Sequence, residues 1–565
     1  IRLKEAYKLL KESDLTCSEI AYRVGFGNPS YFSRVFMEHF HCTPGSIRKK
    51  AEYECSSAIQ KENTALFSMI AGISHRSKRL IFYAASAMLV SLLVYFILLP
   101  MLRSETSLAV LPLQNHTGEK ENDYFAAGMH DALVGELGQI ASLRVISSTS
   151  TLRYKENAML LKDITRELNV NVIVEGSLQT VGDSVRMLLQ VIDVLPRERH
   201  IFSKEYDDAM HNVLNLQRLA AREISREIRL RLSKKVKQSL DKSRTINPVV
   251  YKDYLRGMYY VHQGTSESFT RGIQCLFEAI EEDPSDPFAY AGLALAYATK
   301  GHGMVDSKEA FRTAFSAAEK AIKLDPDCDE AYTALALIYS YYIWDWPRTK
   351  EYFEHALSNN PNNLLAHAHY AWYYMLYCDY EQAIYHGEMA VMLQPFSASF
   401  HSWLSLIYFK AGQYDECEHH ANKALEIKKD NPYGNLALGW LCLERGQYDE
   451  AIAYHEKMSK SPYHSMLVGY TYVKAGQRDK ALELWREANE KTSRANSFHL
   501  GVMAAYLGFT DQAFELLNEA YQKKIYPMAY LYFYPCTENL KRDPRFNDLL
   551  AKLNLPEHQL RIASK

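Results

Sequence analysis

AGQYDE at residues 411–416 and RGQYDE at residues 445–450 are one turn written twice, thirty-four residues apart. A third turn, Cys378-Asp379-Tyr380-Glu381, stands thirty-four residues before the first, and Gly476-Gln477-Arg478-Asp479 follows the second by thirty. Gly508-Phe509-Thr510-Asp511 continues the series. Proline punctuates the same stretch at Pro284, Pro326, Pro361, Pro395, Pro432 and Pro462. A recurrence of this length is the mark of a repeated supersecondary unit that buries its apolar face only by stacking on the next copy. Glycine closes one helix, because it takes a left-handed backbone without cost. Proline sits between helices, because it cannot continue one. Small residues such as Ala289, Ala291, Gly292 and Ala294, and again Ala331, Ala334 and Ala336, let paired helices approach.

Period, punctuation and packing residues together resemble the tetratricopeptide pattern, with about eight units over 248–525. The close, TENLKRDPRFNDLLAKLNLP, resembles the tail that follows such arrays, so 526–565 is expected to act as a C-terminal cap. The resemblance implies an all-α superhelix whose concave face holds an unknown protein or peptide ligand. Forty tyrosines, among them Tyr339, Tyr341 and Tyr342, are read as filling inter-helix gaps, with Tyr373, Tyr374 and Tyr377 facing the groove. His419-His420 is read as a solvated pair.

Before the repeats, residues 107–232 change period. SLAVLPL and LRVIS are short apolar strands, while DYFAAGMHDALVGELGQI and LLKDITRELNV carry helical spacing. VNVIVEGSLQTV and SVRMLLQVIDV alternate and are joined by Gly182-Asp183, a hairpin signal. HIFSKEYD adds a strand, and VLNLQRLAAREISREIRLRL closes an α+β unit. That order resembles the TolB-amino-terminal-like domain. Asp131, Asp163, Glu175 and Asp193 are not spaced against a base, Asn115-His116-Thr117-Gly118 is read as a turn, and the phosphate loop G-x-x-x-x-G-K-[ST] is absent. No catalytic residue, cofactor or metal site is expected, and the chain is read as a non-enzyme.

Residues 80–102, LIFYAASAMLVSLLVYFILLPML, hold no charge until Arg103. They are long enough to cross about 30 Å of hydrocarbon as one transmembrane helix. His75, Arg76, Lys78 and Arg79 precede the run, which by the positive-inside rule places the N-terminus in the cytoplasm and 103–565 outside it. The expectation is a single-pass inner-membrane protein with a periplasmic C-terminal part.

Residues 1–79 carry thirteen Lys/Arg against eight Asp/Glu, and the remainder carries a net −7. A basic head on an acidic body assigns any nucleic-acid contact to the head. Within it, Thr16-Cys17-Ser18-Glu19 has the capping-box form, Gly25 supplies a turn, and Asn28-Pro29 opens a second helix to Phe40. Ile20, Ala21, Val24, Phe26, Phe32, Val35 and Phe36 are the candidate core. S-E-I-A-Y-R-V-G-F, S-Y-F-S-R-V-F and F-H-C-T-P-G-S-I-R resemble the C-terminal half of AraC/XylS-type DNA-binding domains across 1–50. The resemblance implies double-stranded DNA as partner, with Asn28, Ser30, Tyr31, Ser33, Arg34, Arg48 and Lys49 on the DNA side. It also implies a homodimer on paired half-sites. His41 stands where the family usually has glycine. Such domains carry two helix-turn-helix units, so the head is read as the second half of one, and Ile1 as an internal residue of a longer chain. Residues 51–79 are a polar linker.

The nine cysteines show no C-x-x-C spacing; they are read as small apolar packing residues, with pairing beyond residue 102 left open. The whole is read as a multidomain chain: an all-α head, one transmembrane helix, an α+β unit and an all-α repeat superhelix. Its expected function is a membrane-anchored, DNA-binding transcription regulator with an extracytoplasmic sensor. The alternative is a repeat scaffold of the cell envelope with a degenerate head.

Overall fold

The computed structural model describes residues 2–12, 15–26, 29–47, 106–116, 123–155, 159–194, 197–230, 232–242, 245–301, 307–458, 463–490 and 497–555. The chain divides into two units, 1–104 and 105–565.

In the first unit three helices, α1 (Arg2–Glu12), α2 (Cys17–Arg23) and α3 (Pro29–Phe40), surround a small core. The capping box forms: the Glu19 N–H donates to Thr16 Oγ1 at 3.2 Å, and the Thr16 N–H donates to Glu19 Oε2 at 2.6 Å. Two of the donors that a helix start leaves unmet are thereby satisfied. Gly25 then turns the chain with φ +83°. Ile20, Ala21, Val24, Phe32 and Phe36 are buried, joined by Ala6 and Leu10 of α1, which lie four apart on one helical face. Phe26 meets Phe32 edge-on at 5.2 Å. Val35, expected in this core, is half-buried outside the cluster.

The second unit begins with a mixed sheet of strand order β3-β1-β4-β5-β6. Its strands are β1 (Thr106–Val110), β2 (Gln114–Asn115, beside β4), β3 (Leu143–Val145), β4 (Val172–Val181), β5 (Ser184–Asp193) and β6 (Arg199–Ala209). β1 runs parallel to both β3 and β4, and β4, β5 and β6 form an antiparallel meander. The β4–β5 hairpin turns at Gly182, whose φ is +60°. The two-residue period divides the sheet between two cores. Leu108, Val110, Val172, Val174, Val185, Met187, Leu189 and Val191 face the helices Asp123–Gly138 and Val213–Glu227. Ala109 and Ile173 face the helix Leu161–Leu168. Ile192 joins that second core by the same alternation, opposite Ile173, and the β5–β6 register shifts beside it.

From Pro248 to Gln522 the helices follow one another in pairs, such as Ala398–Lys410 with Tyr414–Ile427 and Pro432–Glu444 with Tyr448–Glu456. The turn glycines Gly412, Gly446, Gly476 and Gly508 take φ between +72° and +82°, and Cys378 takes +54° at the equivalent place. The array is built directly onto the sheet. Asn362 Nδ2 donates to the Gly138 and Leu143 carbonyls at 2.9 and 2.8 Å, and the Val145 N–H donates to Asn362 Oδ1 at 3.0 Å. The Ser147 N–H donates to the Leu393 carbonyl, and Arg153 lies 4.0 Å over the Phe396 ring. Beyond the last pair the chain turns back, and Trp346 Nε1 donates to the Leu553 carbonyl across 207 positions.

The fold is mostly helical, with a tetratricopeptide-like superhelix, and this corrects the expected class with its single transmembrane helix. Among the described residues no helix is long and apolar enough to cross a membrane. The physical reason is visible in the helix Ser307–Leu324, which reaches 18 residues but carries Lys308, Glu309, Arg312, Glu319, Lys320 and Lys323. The inner-membrane, single-pass localisation with a periplasmic body loses its support with the span. Residues 80–102, on which that expectation fell, lie outside the described residues, as does the linker 51–79.

Candidate functional site

In the head, burial fixes how α3 is rotated. At about 100° per residue, Phe32 and Phe36 point inward together, and Ser33 and Arg34 fall about 100° and 200° away from Phe32. Both are exposed. Met37 shares that outward face and is 51 % exposed, a residue that pattern reading passed over. The backbone of α3 carries Ser30 and Tyr31 in its first turn, at the end opened by Pro29. Asn28, Arg48 and Lys49 lie outside the described residues. What the head presents is therefore a short helix held by an aromatic core, with hydroxyl and guanidinium groups at its solvent side. Such groups suit hydrogen bonding to phosphates and base edges.

The body holds a second constellation that the sequence reading missed. His367 Nδ1 lies 2.8 Å from His386 Nδ1, and His401 Nδ1 lies 2.9 Å from His420 Nδ1. His367 Nε2 meets the Pro361 carbonyl at 2.9 Å, and His401 Nε2 meets the Pro395 carbonyl at 3.0 Å. A carbonyl only accepts, so each Nε2 carries the proton and each Nδ1 of His367 and His401 accepts. His386 and His420 then donate through Nδ1. Burial, with the partner imidazole beside it, holds His386 down to about 3 and His420 down to about 4. His419-His420 is thus not a solvated pair: His419 is exposed, but His420 stacks on Tyr408 and His401. The signal was legible, since His367 and His401, His386 and His420, and Pro361 and Pro395 are each thirty-four apart. Tyr373 is buried and packs on Tyr370 and Tyr377 rather than facing an open groove.

Between the sheet and the repeats lies a cleft of about 860 Å³, lined by Asp131, Arg153, Tyr259, His262, Asp329 and Glu330 among others. Burial and the neighbouring Asp329 carboxyl push Glu330 up to about 8. Of the other acids weighed at first, Asp163 pairs with Arg166 at 3.5 Å and Asp193 with Arg199 at 3.1 Å, away from the cleft. Asn115 lies in β2 rather than in a turn. Every described cysteine is a free thiol, with Cys275, Cys417, Cys442 and Cys536 buried.

A helix-turn-helix domain model matches residues 1–50, and a tetratricopeptide repeat model matches residues 398–431. Neither reaches residues 107–232. The HTH-type transcriptional regulator GlxA of Rhizobium meliloti is 47 % identical over 51 residues, which is 9 % of this chain and 16 % of that protein. The HTH-type transcriptional activator RhaS of Salmonella arizonae is 45 % identical over 49 residues, 9 % of this chain and 18 % of that one. Putative adenylate cyclase 3 of Rhizobium meliloti is 26 % identical over 196 residues, 35 % of this chain and 33 % of the relative. The chain therefore spans a third or less of each of these relatives. Among solved structures, Pseudomonas aeruginosa pilF is 19 % identical with a TM-score of 0.31 over 37 % of this chain and 93 % of that one. The chain thus carries an AraC-type helix-turn-helix and tetratricopeptide repeats, modules of DNA binding and of protein interaction. Both matched families are non-enzymatic.

Proposed function

We propose that this protein is a DNA-binding transcription regulator in which the repeat body takes up a partner or effector and the head answers on DNA. The observation that carries the reading is the head. A capped helix-turn-helix with a buried aromatic core presents Ser33 and Arg34 to solvent. Relatives named as transcriptional regulators and activators share 45–47 % identity over 49–51 residues. In this proposal Ser30, Tyr31, Ser33 and Arg34 face the major groove, and Asn28, Arg48 and Lys49 approach the backbone. Two copies engage paired half-sites. Residues 107–232 serve as a TolB-like module joining head and repeats. An effector in the cleft between sheet and repeats shifts the head only to the extent that it prefers one arrangement of the two.

The test is selection of duplexes from a random pool by the full chain, then affinity on the selected sequence at several salt concentrations. Arg34→Ala should weaken binding by roughly 5- to 150-fold, the equivalent of about 1–3 kcal/mol for a base-reading arginine. It should also relax the sequence preference at one position. Failure to enrich any duplex would refute the proposal.

A further inference from the structure

The chain's own return segment, Tyr526–Phe533, packs against the helices Leu364–Leu376 and Ala398–Lys410. Tyr530 meets Trp372 edge-on at 5.4 Å, Tyr526 meets Tyr341 at 5.9 Å, and Lys410 Nζ donates to the Phe533 carbonyl at 2.5 Å. The fit leaves a cavity of about 240 Å³, walled by Tyr341, Trp372, Trp403, Trp440, Tyr530 and Tyr534.

Among the described residues, beside tyrosine hydroxyls and His369, the lining carries one ammonium group and no carboxylate. Lys410 lines it, and one of the three ammonium N–H bonds goes to Phe533. Among the described residues no carboxylate forms an ion pair with Lys410. Burial lowers its pKa to about 8, so near neutral pH the ammonium is retained at a cost that an anion would relieve. Trp440, which is 6 % exposed, also lines the cavity. The Lys410 ammonium already sits 5.2 Å from the Trp440 ring centre, which disfavours a second cation there. A cavity of about 150 Å³ accepts a benzene ring, so this one accommodates a ring and a short acidic arm.

We infer that this cavity is a binding site for a small aromatic carboxylate, its ring against the tryptophan and tyrosine walls and its carboxylate on Lys410. Phe533 belongs to the return segment, so an occupant held by Lys410 also braces that segment against the helix Ala398–Lys410. The inference is independent of DNA binding by the head.

The test titrates the full chain with phenylacetate, phenylacetamide and benzyltrimethylammonium, reading tryptophan fluorescence and calorimetry. Phenylacetate is expected to bind at least about tenfold more tightly than the amide, as a charge-assisted contact to a buried ammonium requires, and the cation is expected not to bind. Lys410→Met should abolish the preference for the acid, and Lys410→Arg should retain it. The comparison of acid with amide needs no variant, so it stands even if Lys410→Met does not fold. Equal binding of acid and amide, tighter binding of the cation, or binding of none of the three would overturn the inference.

Discussion

Acidification should destabilise the repeat array, and the buried imidazoles set by how much. His386 is 6 % exposed and held down to about 3; His455 is fully buried and held down to about 4 by burial. In the unfolded chain both titrate near 6.5. Between the folded and unfolded values the unfolded state binds the extra proton, so stability is complete above about pH 6.5 and falls as pH drops below it. The slope is about 1.4 kcal/mol per pH unit for each such histidine. At the unfolded pKa the slope stands at half that limit, so lowering the pH from 6.5 to 5.5 removes about 1 kcal/mol for each, or about 2 kcal/mol for the two. Burial opposes the charge in both. His386 donates through Nδ1 to His367, so an added proton would go to its Nε2, beside the neighbouring imidazole, while a proton on His367 Nδ1 would set two N–H groups head to head. His455 packs against Gly439 and bonds Thr471 Oγ1 at 2.8 Å. Urea unfolding of the repeats followed by tryptophan fluorescence from pH 7.5 to 5.0 measures the slope. His386→Asn keeps a donor and should remove about one proton's worth of it. A stability that stays flat from pH 7 to 5.5 would refute the reasoning.

Three further outcomes follow from local geometry. His41 holds φ +56° with an exposed side chain, so His41→Gly should raise the stability of the head by about 1 kcal/mol, read from its thermal midpoint. Asn362→Ala removes three bonds between repeats and sheet and strands the Val145 N–H, which costs about 1–3 kcal/mol. It should appear as faster hydrogen exchange along β3 than in the β4–β5 hairpin. Gly439→Ala places a methyl 2.2 Å from the His455 ring and should destabilise the array by more than about 1 kcal/mol in the same urea assay, whereas Gly412→Ala meets no side chain and is strained only in its backbone.

Much of the architecture was legible because it is periodic. The glycine turns at 412, 446, 476 and 508 all take the left-handed backbone that their spacing implied, and the alternation in β4 and β5 marks the faces that are buried. The capping box at Thr16 needed only the local rule. Contacts between distant positions were not legible. Nothing local to Trp346 announces that its indole meets Leu553, nor does any motif around Asn362 foretell its bonds to the sheet. The histidine pairs were visible as a period but were missed because a histidine in isolation reads as solvated. The apolar run 80–102 was read from hydropathy alone, and no described helix bears that reading out. In the head, the rotation of α3 followed from Phe32 and Phe36, whereas Met37 needed the structure to be noticed.

The central claim is that the head reads DNA through the outward face of α3. Genome-wide occupancy of the full-length protein, compared with the Arg34→Ala variant at equal abundance, tests it most directly. The account predicts discrete occupied sites sharing a sequence motif, lost or sharply reduced in the variant. Identical profiles for the two proteins, or no enrichment by either, would contradict it.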